Sequence, residues 1–218
     1  MRAQRANRWR LRRTAGKTEW ALGLRAEEGD LLSDSATRWF EAATPDERSL
    51  LARLPGPVLD VGCGPGRLIV ALLELGVPAL GVDNAPGAVA IARAQGATAL
   101  ARSVFDRLPA EGRWGSGVLA DGNVGIGGDP IRLLARVGHL VRPGGTIAVE
   151  TDPRASGIRR GRARLERGSE VGGWFPWAVV GPDALPALAR ASGLVHRATR
   201  QVEGRPFGLL ARPLQVAA

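Results

Sequence analysis

The chain has 218 residues, enough for one α/β domain with a full core and a short extension. No apolar run approaches the roughly 20 residues of a membrane helix, the first residues lack the apolar stretch of a secretory signal, and Cys63, the single cysteine, has no internal partner, so a soluble, cytoplasmic protein is expected. The net charge of +9 divides into +4 over residues 1–32, −2 over 33–152 and +7 over 153–218; with thirty glycines, fifteen prolines and Lys17 the one lysine among thirty basic residues, part of the arginine excess reads as GC-rich coding rather than a nucleic-acid footprint.

Residues 1–32 carry scattered arginines, Trp9 and Trp20 without a sustained apolar period, and are expected to form a basic extension, partly disordered or lying over the domain. The alternative is an arm for an anionic partner. Ser33-Asp-Ser-Ala-Thr-Arg-Trp-Phe-Glu then predicts a helix capped by Ser33 or Asp34. Thr44-Pro45-Asp46-Glu47 is a capping box opening a second helix through Leu50, Leu51 and Leu54, which Pro55-Gly-Pro57 ends.

The central stretch follows, Val58-Leu-Asp-Val-Gly-Cys-Gly-Pro-Gly-Arg67. A short apolar strand holding Asp60 stops at Gly62, Gly64 and Gly66, and apolar residues at helical spacing begin at once with Leu68, Ile69 and Leu72. Glycines suit such a turn because a backbone without Cβ takes left-handed angles and lets a ligand lie against bare peptide. The N–H groups opening the next helix favour a carboxylate or phosphate there. A dinucleotide fingerprint would need glycine at position 67, and Arg67 stands there instead. A second strand, Pro78–Val82, ends at Asp83.

Asp60-x-Gly62-x-Gly64-x-Gly66 with Asp83 closing the next strand resembles motif I of the class I S-adenosylmethionine-dependent methyltransferases. The resemblance implies a three-layer Rossmann-like α/β sandwich whose seven-stranded, mostly parallel sheet has an antiparallel last strand. It also implies S-adenosyl-L-methionine as cofactor, with Asp60 and the glycines under its methionyl part, Asp83 on the ribose hydroxyls and Asn84 near the adenine. The domain is expected over 33–218, with Trp39 and Phe40 either closing the cofactor pocket or packing on the sheet. Ala85 stands where many members of the family place a Ser or Thr cap, which touches stability rather than chemistry.

A third strand over 97–104 delivers Phe105-Asp106, which resembles motif III and implies adenine contacts. The fourth, Gly117–Ala120, ends in Asp121-Gly-Asn123-Val-Gly-Ile-Gly-Gly-Asp129-Pro130. Ligands of open parallel sheets lie beyond the carboxyl ends of strands beside the switch in strand order, so this loop is expected to face cofactor and acceptor. Asp129 and Pro130 read as a helix cap, leaving Asp121 and Asn123 as candidates for the reaction centre. Arg142-Pro-Gly-Gly145 precedes strand five, whose end offers Glu150 and Asp152 as further candidate bases; His139 reads as a surface residue.

Residues 151–180 are the expected substrate-side insertion, with Arg154 among its six arginines and with Trp174 and Trp177. Aromatic faces beside guanidinium groups suit a planar or anionic acceptor; a solvated arginine-rich helix over core aromatics is the plain alternative. A helix over 183–191 and a hairpin turning at Glu203-Gly204 complete the fold.

The Asn/Asp-Pro-Pro-aromatic grip on a flipped base, a cysteine nucleophile beside the acceptor, a lysine-based tetrad and an Asp-Asn metal pair are each missing from the positions where related enzymes keep them. The expected function is therefore metal-independent, in-line methyl transfer to a small-molecule acceptor. The alternatives are an RNA methyltransferase using the basic termini and a non-catalytic cofactor-binding subunit.

Overall fold

A computed structural model describes residues 22–27, 31–33, 36–167 and 169–214. In chain order it begins with β1 (Leu22–Ala26) and β2 (Leu31–Ser33), a short 3-10 helix over Ala36–Phe40, α1 (Pro45–Leu51), β3 (Val58–Val61), α2 (Arg67–Glu74), β4 (Ala79–Asp83) and α3 (Pro86–Ala94). Next come β5 (Ala99–Ala101), β6 (Trp114–Leu119), a 3-10 segment over Asn123–Gly128, α4 (Pro130–Leu140) and β7 (Val141–Glu150). The chain then forms β8 (Ile158–Arg167), β9 (Glu170–Val171), β10 (Phe175–Val180), α5 (Leu185–Ala191), β11 (Val195–Val202) and β12 (Arg205–Ala211).

The main sheet has seven strands in the order β11-β12-β7-β6-β3-β4-β5. The five from β3 to β7 run parallel, and β12 is antiparallel to both its neighbours. The chain runs outward from β3 to β5 and then returns to β6 on the other side of β3, so the switch in strand order falls between β3 and β6. Side chains alternate across the sheet. Leu59, Val61, Ile147 and Val149 face the layer of α4 and α5 with Leu133, Val137 and Leu188. Val58 and Ala148 face Leu68, Ile69 and Leu72 of α2 and Phe207. Each fully buried Leu or Ile stabilises by roughly 1.5–3 kcal/mol. The same alternation places Asp60, two residues from Val58, and Glu150, two from Ala148, on the α2 side.

The local signals act as their chemistry requires. Thr44 Oγ1 accepts from the Glu47 N–H at 3.3 Å while the Thr44 N–H donates to Glu47 Oε2 at 3.0 Å, a complete capping box. Asp129 accepts from the Ile131 and Arg132 N–H groups at the start of α4. Ala85 offers no side-chain cap to α3. Glu203 and Gly204 take φ of 52° and 74°, the left-handed pair of a tight hairpin.

A second, antiparallel sheet departs from the expectations. Its order is β10-β8-β1-β2, with β9 on β8. Leu24 of β1 pairs with Leu165 of β8, and Ala163 pairs with both Ala26 and Phe175 of β10. The helix offered as one reading of the 154–167 arginines is thus a strand: Ala163 and Leu165 alternate with Arg162 and Arg164, a period of two that presents an apolar row on one face. The limit expected at 32/33 falls inside β2, because Leu24 and Ala26 are buried in this sheet. The cap expected at Ser33 is replaced by strand backbone, and helix begins only at Ala36. Residues 1–21 and Asp34 lie outside the described residues. Pro176 sits in β10, the sheet's edge strand, where a missing N–H costs no ladder bond.

The two sheets meet at the Asn123–Gly128 loop. A Cβ built on Gly125 would lie 2.0 Å from the Ala178 carbonyl oxygen and 2.9 Å from the Trp177 indole, and one on Gly128 would lie 3.1 Å from Pro176 Cβ. These glycines are there because β10 backbone rests directly on the loop. Gly125→Ala should force that strand off and cost on the order of 1–3 kcal/mol or more, measured as a lower urea midpoint with unchanged slope.

Candidate functional site

The turn after β3 is built as its spacing requires. Gly62, Gly64 and Gly66 all hold positive φ, at 76°, 52° and 92°, angles that side chains other than glycine's resist. Each also faces something different. A Cβ on Gly62 would strike the Asn123 amide at 2.6 Å, and one on Gly66 would strike Ala92 of α3 at 2.8 Å, whereas one on Gly64 meets nothing within 4 Å. Gly62 and Gly66 are therefore packing positions, and the peptide at Gly64 lies bare toward open space.

Asp83 borders that bare peptide. Its Oδ2 accepts from the Gly64 N–H at 2.9 Å and its Oδ1 from the Ala85 N–H at 2.8 Å. Burial pushes its carboxyl up, against these two hydrogen bonds. Each oxygen keeps a further lone pair for a hydroxyl. Asp60 is buried in mid-sheet; burial, with repulsion from Asp121 and Asp83, raises it to about 7 against the pull of Arg67. Cys63 is buried and burial pushes its thiol up, away from thiolate character.

Asp121, two residues beyond β6, lies in the left-handed region at φ 53°, a conformation that side chains other than glycine's reach at a cost. Its N–H donates to Glu150 Oε2 at 2.7 Å. Arg67 reaches its Oδ2 at 2.9 Å, and Arg38 reaches its Oδ1 through NH2 at 2.9 Å and Nε at 3.2 Å. Asn123 donates its amide to the Val61 and Gly62 carbonyls at 3.0 and 2.9 Å, which fastens the loop after β6 to the glycine turn.

These contacts belong to a larger buried charge cluster. Glu47 accepts from Arg67 at 2.6 and 2.9 Å and from Arg205 at 2.7 Å, and Arg205 also donates to Glu150 at 3.1 Å. Burial alone would raise Glu47, but the hydrogen bonds and charge of Arg67, with Thr44 and Arg205, outweigh it and hold the carboxyl at about 2. Glu150 is pushed up, first by burial and then by Asp121, against Arg205, the Asp121 N–H and Arg38. Glu47, Arg38, Arg67 and Arg205 were not among the sequence candidates. Glu47 is fully accounted for locally by its capping box, and nothing in the sequence signals a partner 158 residues away.

Asp60, the three glycines, Asp83, Asp121, Asn123 and Glu150 thus converge on the carboxyl ends of β3, β4, β6 and β7, with Trp177 against Gly125 beside them. Phe105 lies at the rim, in contact distance of Gly127 and beneath the Arg132 guanidinium at 4.4 Å. Asn84 and Asp106 are exposed, and Asp106 accepts from the Ser103 N–H at 3.3 Å. On the second sheet Trp174 lies beneath Arg164 at 4.6 Å. Arg154 is exposed in the turn after β7, paired with Asp152 at 3.4 Å. His139 is exposed, 3.9 Å from Glu111. A shallow hollow of about 670 Å³ along Leu100, Arg102 and Arg107 takes in none of the candidate residues. Among the described residues no helix is long and apolar enough to cross a membrane, and no group of three His, Cys, Asp or Glu side chains is placed to hold a metal ion.

With the geometry in hand, comparison with known proteins agrees with it. Residues 58–145 match the family model described as a methyltransferase domain. An S-adenosylmethionine-dependent methyltransferase from Bacteroides fragilis, crystallised with S-adenosyl-L-homocysteine, shares the fold at a TM-score of 0.74, with 20% identity over 90% of each chain. The ribosomal protein L11 methyltransferase of Xylella fastidiosa is 38% identical over 114 residues, 50% of this chain and 34% of that protein. The ubiquinone biosynthesis O-methyltransferase of Azorhizobium caulinodans is 34% identical over 111 residues, 49% of this chain and 44% of that protein. The aligned segment spans less than half of either curated relative. The methyltransferase-domain match spans residues 58–145, from β3 into β7, and the seven-stranded sheet has the Rossmann-like fold of the Bacteroides fragilis S-adenosylmethionine-dependent methyltransferase.

The charge cluster has a pH signature. A carboxylate held at about 2 when folded, against 4.5 ordinarily, stabilises the fold fully above pH 4.5, and that contribution is lost as the pH falls from 4.5 toward 2. Its size is roughly 3 kcal/mol. Glu47→Gln should lower stability at pH 7 by about that much and flatten the acid limb, read from urea unfolding between pH 2 and 7.

Proposed function

We propose that this protein is an S-adenosylmethionine-dependent methyltransferase whose acceptor is a small molecule. The observation that carries the cofactor half is the pairing of a bare, open Gly64 peptide with the Asp83 carboxylate hydrogen-bonded to its edge. That arrangement fits a ribose, whose hydroxyls would donate to the second lone pairs of Asp83 while the nucleoside rests on Gly64. Asp60 and the Asn123-braced loop would flank the methionyl part, Phe105 and Asn84 would lie toward the adenine, and Asp106 would sit at the outer edge.

The acceptor half is supported by the second sheet. Strand β10 is seated on the loop after β6, with the Trp177 indole against Gly125 and 4.0 Å from a Cβ built at Gly122. A strand and an indole seated on the loop that follows Asp121 leave less approach for a polynucleotide than for a metabolite. The known relatives that match half of this chain divide between a protein acceptor and a small-molecule pathway by their names, and the strand seated there favours the second.

When bound, the cofactor supplies an activated methyl group that an acceptor lone pair can displace in line. The protein's share is to orient the acceptor, exclude water and, where the acceptor carries a proton, to take it up. Asp121 and Glu150 are the carboxylates in reach, and both are held in place by arginines rather than free to swing. We assign them acceptor positioning first. Trp177 forms the wall, with Trp174 and Arg154 farther out on the insertion.

S-adenosylmethionine should bind with an affinity on the order of micromolar, and Asp83→Ala should weaken it about ten- to hundredfold, the loss of charge-assisted hydrogen bonds. Titration calorimetry reads both; a wild-type protein that gives no binding heat contradicts the assignment.

A further inference from the structure

Strand β5, the last of the main sheet, borders the hollow of about 670 Å³, a size within the roughly 300–1,000 Å³ of small-molecule sites. Three arginines line it, Arg102 at the end of β5 and Arg107 and Arg113 on the loop that leads to β6. All three are exposed, and among the described residues none of them pairs with a carboxylate. Arg102 donates to the Arg107 carbonyl at 2.9 Å. The acid on the rim, Glu111, is already met by Arg136 at 2.6 Å and by the Leu108 N–H at 2.8 Å. The hollow thus carries three positive charges with no counter-charge of its own, the reverse of the cluster around Glu47, where each arginine meets an acid.

The loop keeps these residues where they are. The Gly112 N–H donates to the Leu140 carbonyl at 2.8 Å, the Arg113 N–H to the Ala110 carbonyl at 3.0 Å and the Trp114 indole to the Pro109 carbonyl at 3.0 Å. Ala110 is held at φ 57°, in the left-handed region that a side chain enters at a cost. An anchored backbone therefore gathers like charges around one hollow, a repulsion that solvent screens without removing. Between the arginines the floor is apolar: Leu100 and Ala110 are half-buried against the core, beside the buried Leu108. Guanidinium forks match the oxygens of a phosphate or carboxylate, and the floor between them matches a hydrocarbon or aromatic body.

We propose that this hollow is a binding site for a small organic anion, a phosphate or carboxylate carried on an apolar body. It shares no residue with the site around Asp83 and Asp121, and it does not rest on the methyltransferase reading.

The test titrates the full chain by calorimetry at low, fixed ionic strength with phenyl phosphate, phthalate, inorganic phosphate and benzyl alcohol. Phenyl phosphate or phthalate should bind with a Kd of about 0.1–1 mM, about tenfold or more tighter than inorganic phosphate or benzyl alcohol, and the tighter of the two names the anionic group. The double variant Arg107→Gln/Arg113→Gln should weaken that binding about tenfold, whereas Arg142→Gln/Arg190→Gln, which removes the same charge from exposed positions elsewhere, should leave it unchanged. Ala110→Asp should abolish it and Ala110→Asn should keep it, since both side chains tolerate left-handed backbone. No saturable binding, inorganic phosphate binding as tightly as phenyl phosphate, or equal losses in the two double variants overturns the proposal. With S-adenosylmethionine present the affinities should be unchanged; competition would move the anions to the cofactor's place and overturn the proposal. A chain that binds these anions as described but gives no heat with S-adenosylmethionine leaves this site standing and removes the methyltransferase reading instead.

Discussion

The organisation of this molecule depends on a buried carboxylate, Glu47, shared between two arginines, one 20 and the other 158 residues away along the chain. Arg67 opens α2 directly after the glycine turn, and Arg205 opens β12. Each then hands its remaining donor to a carboxylate at the end of a central strand, Asp121 on one side and Glu150 on the other. One cluster thereby sets the distance between α1, the glycine turn, the loop after β6 and the antiparallel end of the sheet. Removing one member of a buried charge set strands the others, which costs far more than the intact set contributes relative to an apolar core. The rigidity that results is what a site of fixed geometry needs.

The glycines obey the same constraint from the backbone side. Gly62 must admit the Asn123 amide, Gly66 must admit α3, and Gly125 and Gly128 must admit β10. Among the glycines of the 62–66 turn and the 122–128 loop, Gly64 alone meets nothing within 4 Å, and it is the peptide that Asp83 borders. The contrast separates positions where glycine serves packing from the one whose peptide faces open space. The left-handed Asp121 fits the picture: its backbone is bent so that its N–H meets Glu150 while both its oxygens meet arginines.

Much of this was legible in the sequence because its causes are local. The strand, glycine turn and helix from Val58 to Leu72, the acid closing the next strand, the Thr44–Glu47 capping box and the Asp129-Pro130 helix start each carry their reason within a few residues. What was not legible is non-local. The Arg159–Arg167 stretch has a period of two, but its charge masks it, and its partner strand, Leu22–Ala26, lies more than 130 residues earlier with no apolar period of its own. Glu47 and Arg205 look ordinary alone, one a helix cap and the other an arginine after a hairpin. In sequence Arg67 stands out only as the residue that breaks a dinucleotide fingerprint, though its position after the last glycine is what lets it reach Glu47 and Asp121 together.

The second sheet gives a common domain its own character. It is assembled from the start of the described chain and the segment after β7, and it rests on the loop where the acceptor would be presented. On the function proposed above, acceptor selection would be a property of three separate stretches, around 22–40, 121–128 and 158–180, while the cofactor would lie over 58–106 and the Asn123-braced loop. The most direct check on this division is a crystal structure of the full chain with S-adenosyl-L-homocysteine. The account predicts the ribose hydroxyls on Asp83, the nucleoside over the Gly64 peptide, and the sulfur facing the space between Asp121 and Trp177; a nucleoside seated elsewhere, with Asp83 touching only its two backbone N–H groups, would contradict it.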